Sequence, residues 1–385
     1  MEVRNILVNT KSNFVGGNLA KFLPKWKTFT SDFEILNTVR GLPIKVDKNF
    51  EPSDMFQHKL GSNAGKFVQS EISSLLNKQV IFPTSHEHGE HISPIFTRPK
   101  QDGSFRLILN LKKLNRNVEF KHFKMETLRS ILCLIQQNCF MAKLDIKDAY
   151  YTVPIKHSDH KLLKFRFQNK LYKFVALPNG YSEGPRLFTK LLKPILAHLR
   201  GNEICIAAYI DDLFTMNRSF ESCLSNVKQS SKLLDDMGFT INVSKSIFIP
   251  SQKMEFLGFT IDSVAMTVTL TSIKKHKLKC LCIDMLSKES MPIRSVSILL
   301  GTITSSLIGV PLGWLHYRSL DRAKTSALFQ NAWDFDKPMT LSQAARDDIT
   351  WWQHNIDISF APIFIGVPEH TLTTDASGIR KRIYT

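Results

Sequence analysis

Two adjacent aspartates, Asp211 and Asp212, stand between two apolar runs in the segment 206–216, which reads IAAYIDDLFTM. A third aspartate, Asp145, ends the apolar run 138–146. Hard divalent ions such as Mg²⁺ take oxygen ligands, and two of them about 3.5–4 Å apart can activate a hydroxyl and polarise a phosphate. Converging carboxylates would therefore predict a two-metal site. Taken alone, the Asp-Asp pair is equally typical of a turn.

The elements that must position these aspartates are predicted from hydrophobic periodicity and turn residues. The segment 203–216 predicts two strands joined by a turn that carries the aspartate pair, and 138–146 predicts a strand that ends at Asp145. The remaining pattern predicts a hairpin over 93–115, helices over 63–79, 184–200, 219–237 and 341–355, short strands over 254–262, a helical and basic stretch over 271–330, and a new strand within 370–377.

Composition indicates a folded protein with a polyanionic partner. The 385 residues suggest two or three domains, and the net charge of +17 favours nucleic acid or an anionic membrane surface over a merely basic protein. No stretch approaches the ~20 apolar residues of a membrane span, and no secretory signal is present. Six cysteines without C-x-x-C pairs indicate buried thiols in a reducing compartment. We expect an intracellular protein of the cytoplasm, the nucleus or both, with no membrane partner.

The polar segment 86–91, HEHGEH, contains three histidines. Their spacing fits no common metal-ligand pattern, so the segment predicts a solvated loop. The following region, 97–129, contains nine Lys/Arg against three Asp/Glu, which makes it a local basic patch. Lys112 lies in this patch and is a candidate nucleic-acid contact.

Several segments together resemble the conserved boxes of reverse transcriptases. The pair lies in YIDD, which is similar to the Tyr-x-Asp-Asp box, and LDIKDAYYTVPI (144–155) is similar to the box that supplies the first metal-binding aspartate. The strand-turn-helix segment of the family resembles LPNGYSEGPRLFTKLLKP (177–194). The fingers hairpin resembles RPKQDGSFRLILNLKKLN (98–115), and the primer grip resembles FLGF (256–259). The boxes occur in the expected order, which a single short motif could not imitate.

The resemblance implies an α+β right-hand polymerase with fingers, palm and thumb, whose antiparallel palm sheet carries the YxDD hairpin. Its expected parts are an N-terminal extension (1–60), fingers and palm (61–262), thumb (263–335), connection (336–369) and the truncated start of a ribonuclease H-like domain (370–385). Asp375 would be the first metal ligand of that nuclease. No acidic residue follows it in the sequence, so we expect no ribonuclease H activity.

The resemblance also assigns catalytic roles. Asp145 and Asp211 are expected to be the essential ligands of two Mg²⁺ ions, for which Mn²⁺ could substitute, with Asp212 more weakly engaged. Lys245 resembles the lysine that protonates the leaving pyrophosphate; a surface lysine is the alternative. Tyr150 takes the position of the steric gate that excludes a ribose 2′-hydroxyl; an ordinary core tyrosine is the alternative.

Further positions are expected to contact substrate. Backbone N–H groups of Asp148 and Ala149 would face the triphosphate, and Asn179 with Gly180 would line the nucleotide pocket, where Asn179 departs from the more usual Gln or aromatic residue. The remaining expected contacts are Lys100 and Arg106 to the β- and γ-phosphates, Leu257 and Gly258 as primer grip, and Lys274 and Lys277 to the duplex; for the four charged residues, a solvated surface position is the alternative.

The expected function is therefore RNA-directed DNA polymerisation, with dNTPs added to a primer on an RNA or DNA template. The segments 22–41, 187–201 and 312–324 are similar to DIRS-type retrotransposon polymerases, with gypsy-type elements as the nearest competitor. Two alternatives are a catalytically silent remnant that only binds nucleic acid and an RNA-dependent RNA polymerase, against which Tyr150 argues. The sequence predicts no particular oligomeric state.

Overall fold

The structure is a computed structural model that describes residues 14–57, 61–99, 105–363, 373–376 and 381–384. These residues form two compact units. The first takes the described residues of Met1–Thr127 together with Phe140–Ser251, and the second those of Leu128–Cys139 with Gln252–Thr385. In the described residues the helices are α1 (Leu23–Phe29), α2 (Phe33–Gly41), α3 (Ser62–Asn77), α4 (Lys112–Asn115), α5 (Leu128–Leu132), α6 (Gly184–Gly201), α7 (Phe220–Asp236), α8 (Ser272–Leu286), α9 (Ile293–Thr304), α10 (Arg318–Gln330) and α11 (Gln343–Asn355).

Short strands and 3₁₀ turns connect these helices. The turns are Asn18–Phe22, Ala149–Thr152, His157–Leu162, Leu307–Gly309 and Pro311–Leu315. The strands are β1 (Ile81–Thr84), β2 (Ile95–Pro99), β3 (Phe105–Leu109), β4 (Phe140–Asp145), β5 (Lys164–Phe167), β6 (Lys170–Phe174), β7 (Cys205–Tyr209), β8 (Asp212–Asn217), β9 (Ile247–Ser251), β10 (Lys253–Phe256), β11 (Phe259–Asp262), β12 (Thr267–Leu270), β13 (Ser290–Pro292), β14 (Pro338–Thr340), β15 (Ala361–Pro362), β16 (Thr373–Ala376) and β17 (Lys381–Tyr384).

The centre of the first unit is an antiparallel sheet with the strand order β7-β8-β4-β9. Helix α6 packs on β7, and α7 packs on β8, β4 and β9. Helix α6 buries apolar residues at a spacing of three and four, including Leu187, Phe188, Leu191 and Leu192, because that spacing places them on one face. The packing of these helices holds the strands of the sheet in place, and with them the polar residues at the strand ends.

The rest of the first unit contains a three-stranded sheet, β1-β6-β5, and the hairpin β2-β3. Helix α3 packs against β1 and β3 and thereby joins the two. The predicted hairpin over 93–115 is confirmed, with Ile95 opposite Leu109 at its base.

The N-terminal residues, which the sequence pattern left unassigned, pack into the same core. Leu19, Trp26 and Val39 are completely buried. The Trp26 indole N–H donates to the carbonyl of Met237 (3.1 Å), at the end of α7. Gly17 has a φ of +69°, and its N–H donates to the carbonyl of Tyr151 (2.8 Å). Residues 14–44 thus pack against the turn and the helices that surround the sheet β7-β8-β4-β9.

The segment 86–91 differs from the solvated loop that its composition predicts. His86 and His88 are exposed, but His91 is completely buried and its Nδ1 accepts from the N–H of Ser53 (3.2 Å). The equally buried Lys164 forms ion pairs with Glu87 (2.8 Å) and Glu90 (2.7 Å). The prediction was wrong for His91. The buried Lys164 on β5 needs anionic partners, and its ion pairs with Glu87 and Glu90 hold the segment against the protein, where His91 is buried.

The second unit contains the sheet β10-β11-β12-β15, the pair β13-β14, the pair β16-β17 and helices α5 and α8–α11. The helices predicted within 271–330 and 341–355 are confirmed, with the short strand β13 interrupting the first stretch. Among the residues that the structure describes, no helix combines the length and apolarity that crossing a bilayer requires.

Candidate active site

The aspartate pair lies at the tip of the β7-β8 hairpin. Tyr209 is opposite Asp212, so Ile210 and Asp211 form a two-residue turn. Ile210 has a φ of +56°, in the left-handed region that a β-branched residue adopts at a cost of about 1–3 kcal/mol. The surrounding sheet must hold this strained conformation, which fixes where Asp211 is presented.

Asp145 lies at the end of β4, directly opposite Asp212 on β8. Its N–H donates to Ser246 Oγ (2.9 Å), and its carbonyl accepts from the N–H of Asn242 (2.8 Å). One residue later, the N–H of Ile146 donates to the carbonyl of Asp211 (2.9 Å). These backbone bonds tie the two strand ends together, so the positions of Asp145 and Asp211 are coupled.

The electrostatics of this pair favour a bound cation. Asp145 is only 6% exposed. Burial raises the pKa of Asp145 and that of Asp211, and the charge of Asp212 raises both pKa values further. Asp145 also raises the pKa of Asp211, whereas the charge of Lys245 lowers both pKa values. A buried and a half-buried carboxylate, each disfavoured as an anion by its surroundings, are a donor set that suits a hard divalent ion.

The third aspartate is engaged elsewhere. Lys143 Nζ lies 2.8 Å from Asp212 Oδ1, and the two side chains are 18% and 22% exposed. In the part of the chain that the structure describes, no three or more His, Cys, Asp or Glu side chains come together closely enough to hold a metal ion. The structure therefore brings Asp145 and Asp211 together and places the carboxylate of Asp212 against a lysine.

The segment after β4 positions the predicted steric gate. Asp148 has a φ of +50° and precedes the 3₁₀ turn Ala149–Thr152, and its carboxylate forms an ion pair with Lys78 (2.8 Å). The Tyr150 ring meets Phe188 edge-on, with centroids 5.7 Å apart. Burial raises the pKa of Tyr150 to about 12, with a smaller contribution from the charge of Asp211. Tyr150 thus lies near the carboxylates while its ring is held by α6.

Asn179 and Gly180 lie in the loop before α6. Asn179 Nδ2 donates to the hydroxyl of Tyr151 (3.2 Å), the neighbour of Tyr150. Gly180 has a φ of +96°, and its carbonyl accepts from Asn115 Nδ2 (2.8 Å). This loop is therefore tied to the steric-gate segment on one side and to α4 on the other.

Comparison with known proteins agrees with this geometry. Residues 98–261 match the family model described as reverse transcriptase (RNA-dependent DNA polymerase). This segment is similar to reverse transcriptase domains. It contains the strand β4 that ends at Asp145, the turn that contains Asp211 and the loop that contains Asn179.

The relatives are polyproteins of retroviruses and retroelements. The chain is 25% identical over 224 residues to the Pro-Pol polyprotein of Simian foamy virus type 1, which covers 58% of this chain and 19% of that protein. It is 27% identical over 182 residues to the transposon Tf2-3 polyprotein of Schizosaccharomyces pombe (strain 972 / ATCC 24843), which covers 47% of this chain and 13% of that protein. The chain thus spans less than a fifth of the length of these relatives.

The solved structures establish the fold. The foamy viral protease-reverse transcriptase in complex with RNA/DNA hybrid has a TM-score of 0.66 and 20% identity, and the match covers 93% of this chain and 46% of that one. The same kind of protein in complex with dsDNA also gives a TM-score of 0.66 at 20% identity, covering 100% of this chain and 78% of that one. The predicted right-hand polymerase fold with antiparallel sheets is confirmed.

In the hairpin β2-β3, Arg106 lies on β3 directly opposite Arg98 on β2, and both are exposed. Two like charges facing each other across a hairpin are unfavourable without an anion between them. Sequence reasoning did not single out Arg98. Lys100 lies outside the described residues. Lys112 is exposed at the first position of α4.

The predicted primer grip and thumb contacts belong to the second unit. Leu257 and Gly258 form a two-residue turn between β10 and β11, with φ values of +49° and +79°. Lys274 donates to the carbonyl of Ser305 (2.7 Å) and lies 4.2 Å from the centre of the Phe259 ring, and burial lowers its pKa to about 8. Lys277 is exposed. Of the two lysines, only Lys277 presents its charge to solvent.

Two further side chains hold the edge of the palm sheet. Glu126 Oε2 accepts from the N–H of Ala208 (2.7 Å), and Arg200 donates to the carbonyl of Ile206 (2.9 Å and 2.8 Å). Glu126 and Arg200 also form an ion pair. Strand β7 is the edge strand, so these side chains occupy backbone groups that would otherwise lack partners. No sequence signal distinguished Glu126, because its partner lies 82 residues away.

Proposed function

We propose that this chain is an RNA-directed DNA polymerase that extends a primer with dNTPs. The observation that carries the proposal is the pair Asp145 and Asp211, within a segment that matches the reverse transcriptase family model. Asp145 is buried at the end of β4, Asp211 is half-buried in the β7-β8 turn, and backbone hydrogen bonding couples the two positions. Foamy viral relatives of the same fold bind RNA/DNA hybrid and dsDNA, which supports a template-primer as the partner.

Asp145 and Asp211 would hold two Mg²⁺ ions, for which Mn²⁺ could substitute. When bound, such ions activate a primer 3′-hydroxyl and stabilise the charge of the attacked phosphate and the leaving pyrophosphate. The chain itself holds Asp145 in place, because the backbone of Asp145 is hydrogen-bonded to Ser246 and Asn242. Lys245, exposed in the adjoining turn, is suitably charged to protonate the pyrophosphate.

Other residues would bind and select the nucleotide. Tyr150, with its ring held against Phe188, would exclude a ribose 2′-hydroxyl and so favour dNTPs over rNTPs. Arg106 would bind triphosphate oxygens, since a guanidinium contacts them in pairs, and Asn179 with Gly180 would line the pocket. The remaining proposed contacts are Lys100 and the backbone of Asp148 and Ala149 for the triphosphate, Leu257 and Gly258 for the primer, and Lys112, Lys274 and Lys277 for the duplex.

The direct test is primer extension by the purified chain on poly-rA/oligo-dT with dTTP and Mg²⁺. Asp211→Asn is the inactive reference, and Asp236→Asn, an exposed carboxylate paired with Lys232, is the matched control. We expect incorporation by the wild type and by Asp236→Asn alone. Salt-dependent duplex binding with no incorporation above Asp211→Asn would instead support a silent remnant.

Nucleotide choice separates the proposed polymerase from an RNA polymerase. Wild type should incorporate dNTPs well above rNTPs, and Tyr150→Val should narrow that preference by opening the space beside the 2′ position. Preference of the wild type for rNTPs would contradict the proposal.

The finer identity rests on resemblance. We propose that the chain comes from a DIRS-type retroelement with the domain limits stated above, and that it acts inside the cell, in the cytoplasm, the nucleus or both. A tyrosine recombinase gene in the same element would support that class, and an integrase gene would contradict it. We also propose that residues 1–385 assayed by themselves do not cleave RNA in a hybrid, since no acidic residue follows Asp375 within them. Release of labelled RNA fragments would refute this.

A further inference from the structure

We propose that Lys143 is the built-in counter-ion of Asp212 and holds that carboxylate away from the metal site proposed at Asp145 and Asp211. Lys143 is thus a positioning residue. The inference rests on the proposed function, because it takes Asp145 and Asp211 to be metal ligands.

The strand register explains why Lys143 reaches Asp212. Lys143 and Asp145 are two residues apart on β4, so their side chains share one face of the sheet. Asp145 is directly opposite Asp212, which makes Lys143 a diagonal neighbour of Asp212, within reach of a long side chain. The ammonium comes to 2.8 Å from Asp212 Oδ1, an oxygen that is shielded from solvent. The contact is an ion pair and not a directed hydrogen bond.

The Lys143–Asp212 ion pair offsets a repulsion that the same strand register creates. Two carboxylates directly opposite each other in an antiparallel pair repel, and here Asp145 and Asp212 occupy such positions. Lys143 offsets this repulsion from one side of Asp212. The charge of Lys245 lowers the pKa of both Asp145 and Asp211, and the charge of Lys143 also lowers the pKa of Asp145. Both lysines act on Asp145, but it is Lys143 whose ammonium lies within ion-pair distance of Asp212.

An ordinary surface lysine does not fit these observations. The Lys143 side chain is 18% exposed, and its strand neighbours Ala142 and Leu144 are buried. Removing one partner of such a pair leaves a charge without compensation in a shielded place, whereas removing both partners is far better tolerated. If Lys143 and Asp212 are a charge pair, removing both should therefore restore the metal affinity that removing Asp212 alone weakens. If Asp212 is a metal ligand, the affinity should not be restored.

The expected pattern concerns Mn²⁺ affinity in the absence of nucleotide. Asp212→Asn leaves the Lys143 ammonium uncompensated near the site, so we expect Mn²⁺ to bind about fivefold or more weakly. Lys143→Met frees the Asp212 carboxylate, so we expect tighter binding. The double variant Lys143→Met/Asp212→Asn removes both charges, and its affinity should return to within about twofold of the wild type.

The experiment measures free Mn²⁺ by electron paramagnetic resonance during titration of the purified chain, at fixed pH and ionic strength. Asp211→Asn is the reference for a lost ligand. Lys147→Met removes an exposed lysine two residues beyond Asp145 and controls for a general loss of positive charge; it should change the affinity by less than about twofold. Lys143→Arg keeps the charge and should retain the wild-type affinity, which separates the ion pair from simple packing.

The outcomes separate the two ideas. Recovery in the double variant, with weak binding by Asp212→Asn alone, supports the inference. If Asp212→Asn remains as weak with Lys143→Met as without it, Asp212 is itself a metal ligand and the inference is overturned. If Asp211→Asn binds Mn²⁺ like the wild type, the proposed metal role fails and the inference fails with it. Thermal unfolding of each variant identifies misfolding, in which case Lys143→Arg and Lys143→Gln decide the question.

Discussion

Removal of the Glu126 carboxylate should loosen the edge strand β7, which leads into the turn that contains Asp211. In Glu126→Ala the N–H of Ala208, which is 8% exposed, loses its acceptor, and an unsatisfied buried N–H costs about 1–3 kcal/mol. The ion pair with Arg200 adds little, because those side chains are 31% and 44% exposed and such pairs contribute about 0–1 kcal/mol. We therefore expect a loss of about 1–3 kcal/mol in the free energy of unfolding.

Urea unfolding measures this loss, and steady-state primer extension measures its effect on catalysis. Because Ala208 immediately precedes Tyr209, at the base of the turn that contains the proposed metal ligand Asp211, kcat should fall more than KM for dTTP rises. Glu126→Gln keeps one acceptor oxygen and should recover most of the stability and of kcat. A Glu126→Ala variant within about 0.5 kcal/mol of the wild type, with unchanged kcat, would refute the reasoning.

Three other predictions concern charged groups. Hydrogen bonds from Arg186 and then Lys190 hold the pKa of Glu34 at about 2, against an ordinary 4.5, so this carboxylate stabilises the fold above pH 4.5 and its contribution is lost as the pH falls towards 2. Between pH 7 and pH 3.5, the free energy of unfolding in urea should fall by about 1 kcal/mol more in the wild type than in Glu34→Gln. Equal decreases in the two proteins would contradict this prediction. Lys277→Met should reduce the salt dependence of duplex binding by about one counter-ion and Lys274→Met should not, since the Lys274 ammonium is bound to Ser305; equal reductions would contradict this. Arg98→Ala should raise KM for dTTP and leave kcat nearly unchanged if the facing pair of arginines binds phosphate; an unaltered KM would show that it does not.

Much of the catalytic framework could be predicted from local sequence. The YIDD turn and the strand that ends at Asp145 follow from apolar runs interrupted by charge, and helix α6 follows from apolar spacing. Tyr150 and Asn179 came from the family resemblance rather than from periodicity. These features are local, because the residues that specify each of them are adjacent in the chain.

The features that escaped prediction depend on partners distant in sequence. Residues 14–44 showed no clear pattern because their structure depends on burial against residues such as Met237, 211 positions from Trp26. His91 was predicted to be solvated because nothing local reveals the pocket that buries it. The charge of Lys143 within an apolar strand was a usable signal, since the period of two places it on the face of Asp145. Reading it required the register with β8, which the sequence does not contain.

The measurement that tests the central claim most directly is Mg²⁺-dependent dTTP incorporation by Asp145→Asn and Asp211→Asn, at equal occupancy of poly-rA/oligo-dT. If these two carboxylates hold the metals, each variant should lose at least about a thousandfold in rate, equivalent to ~4 kcal/mol of transition-state stabilisation, while template-primer binding is retained. Incorporation by either variant within about tenfold of the wild type would contradict the account.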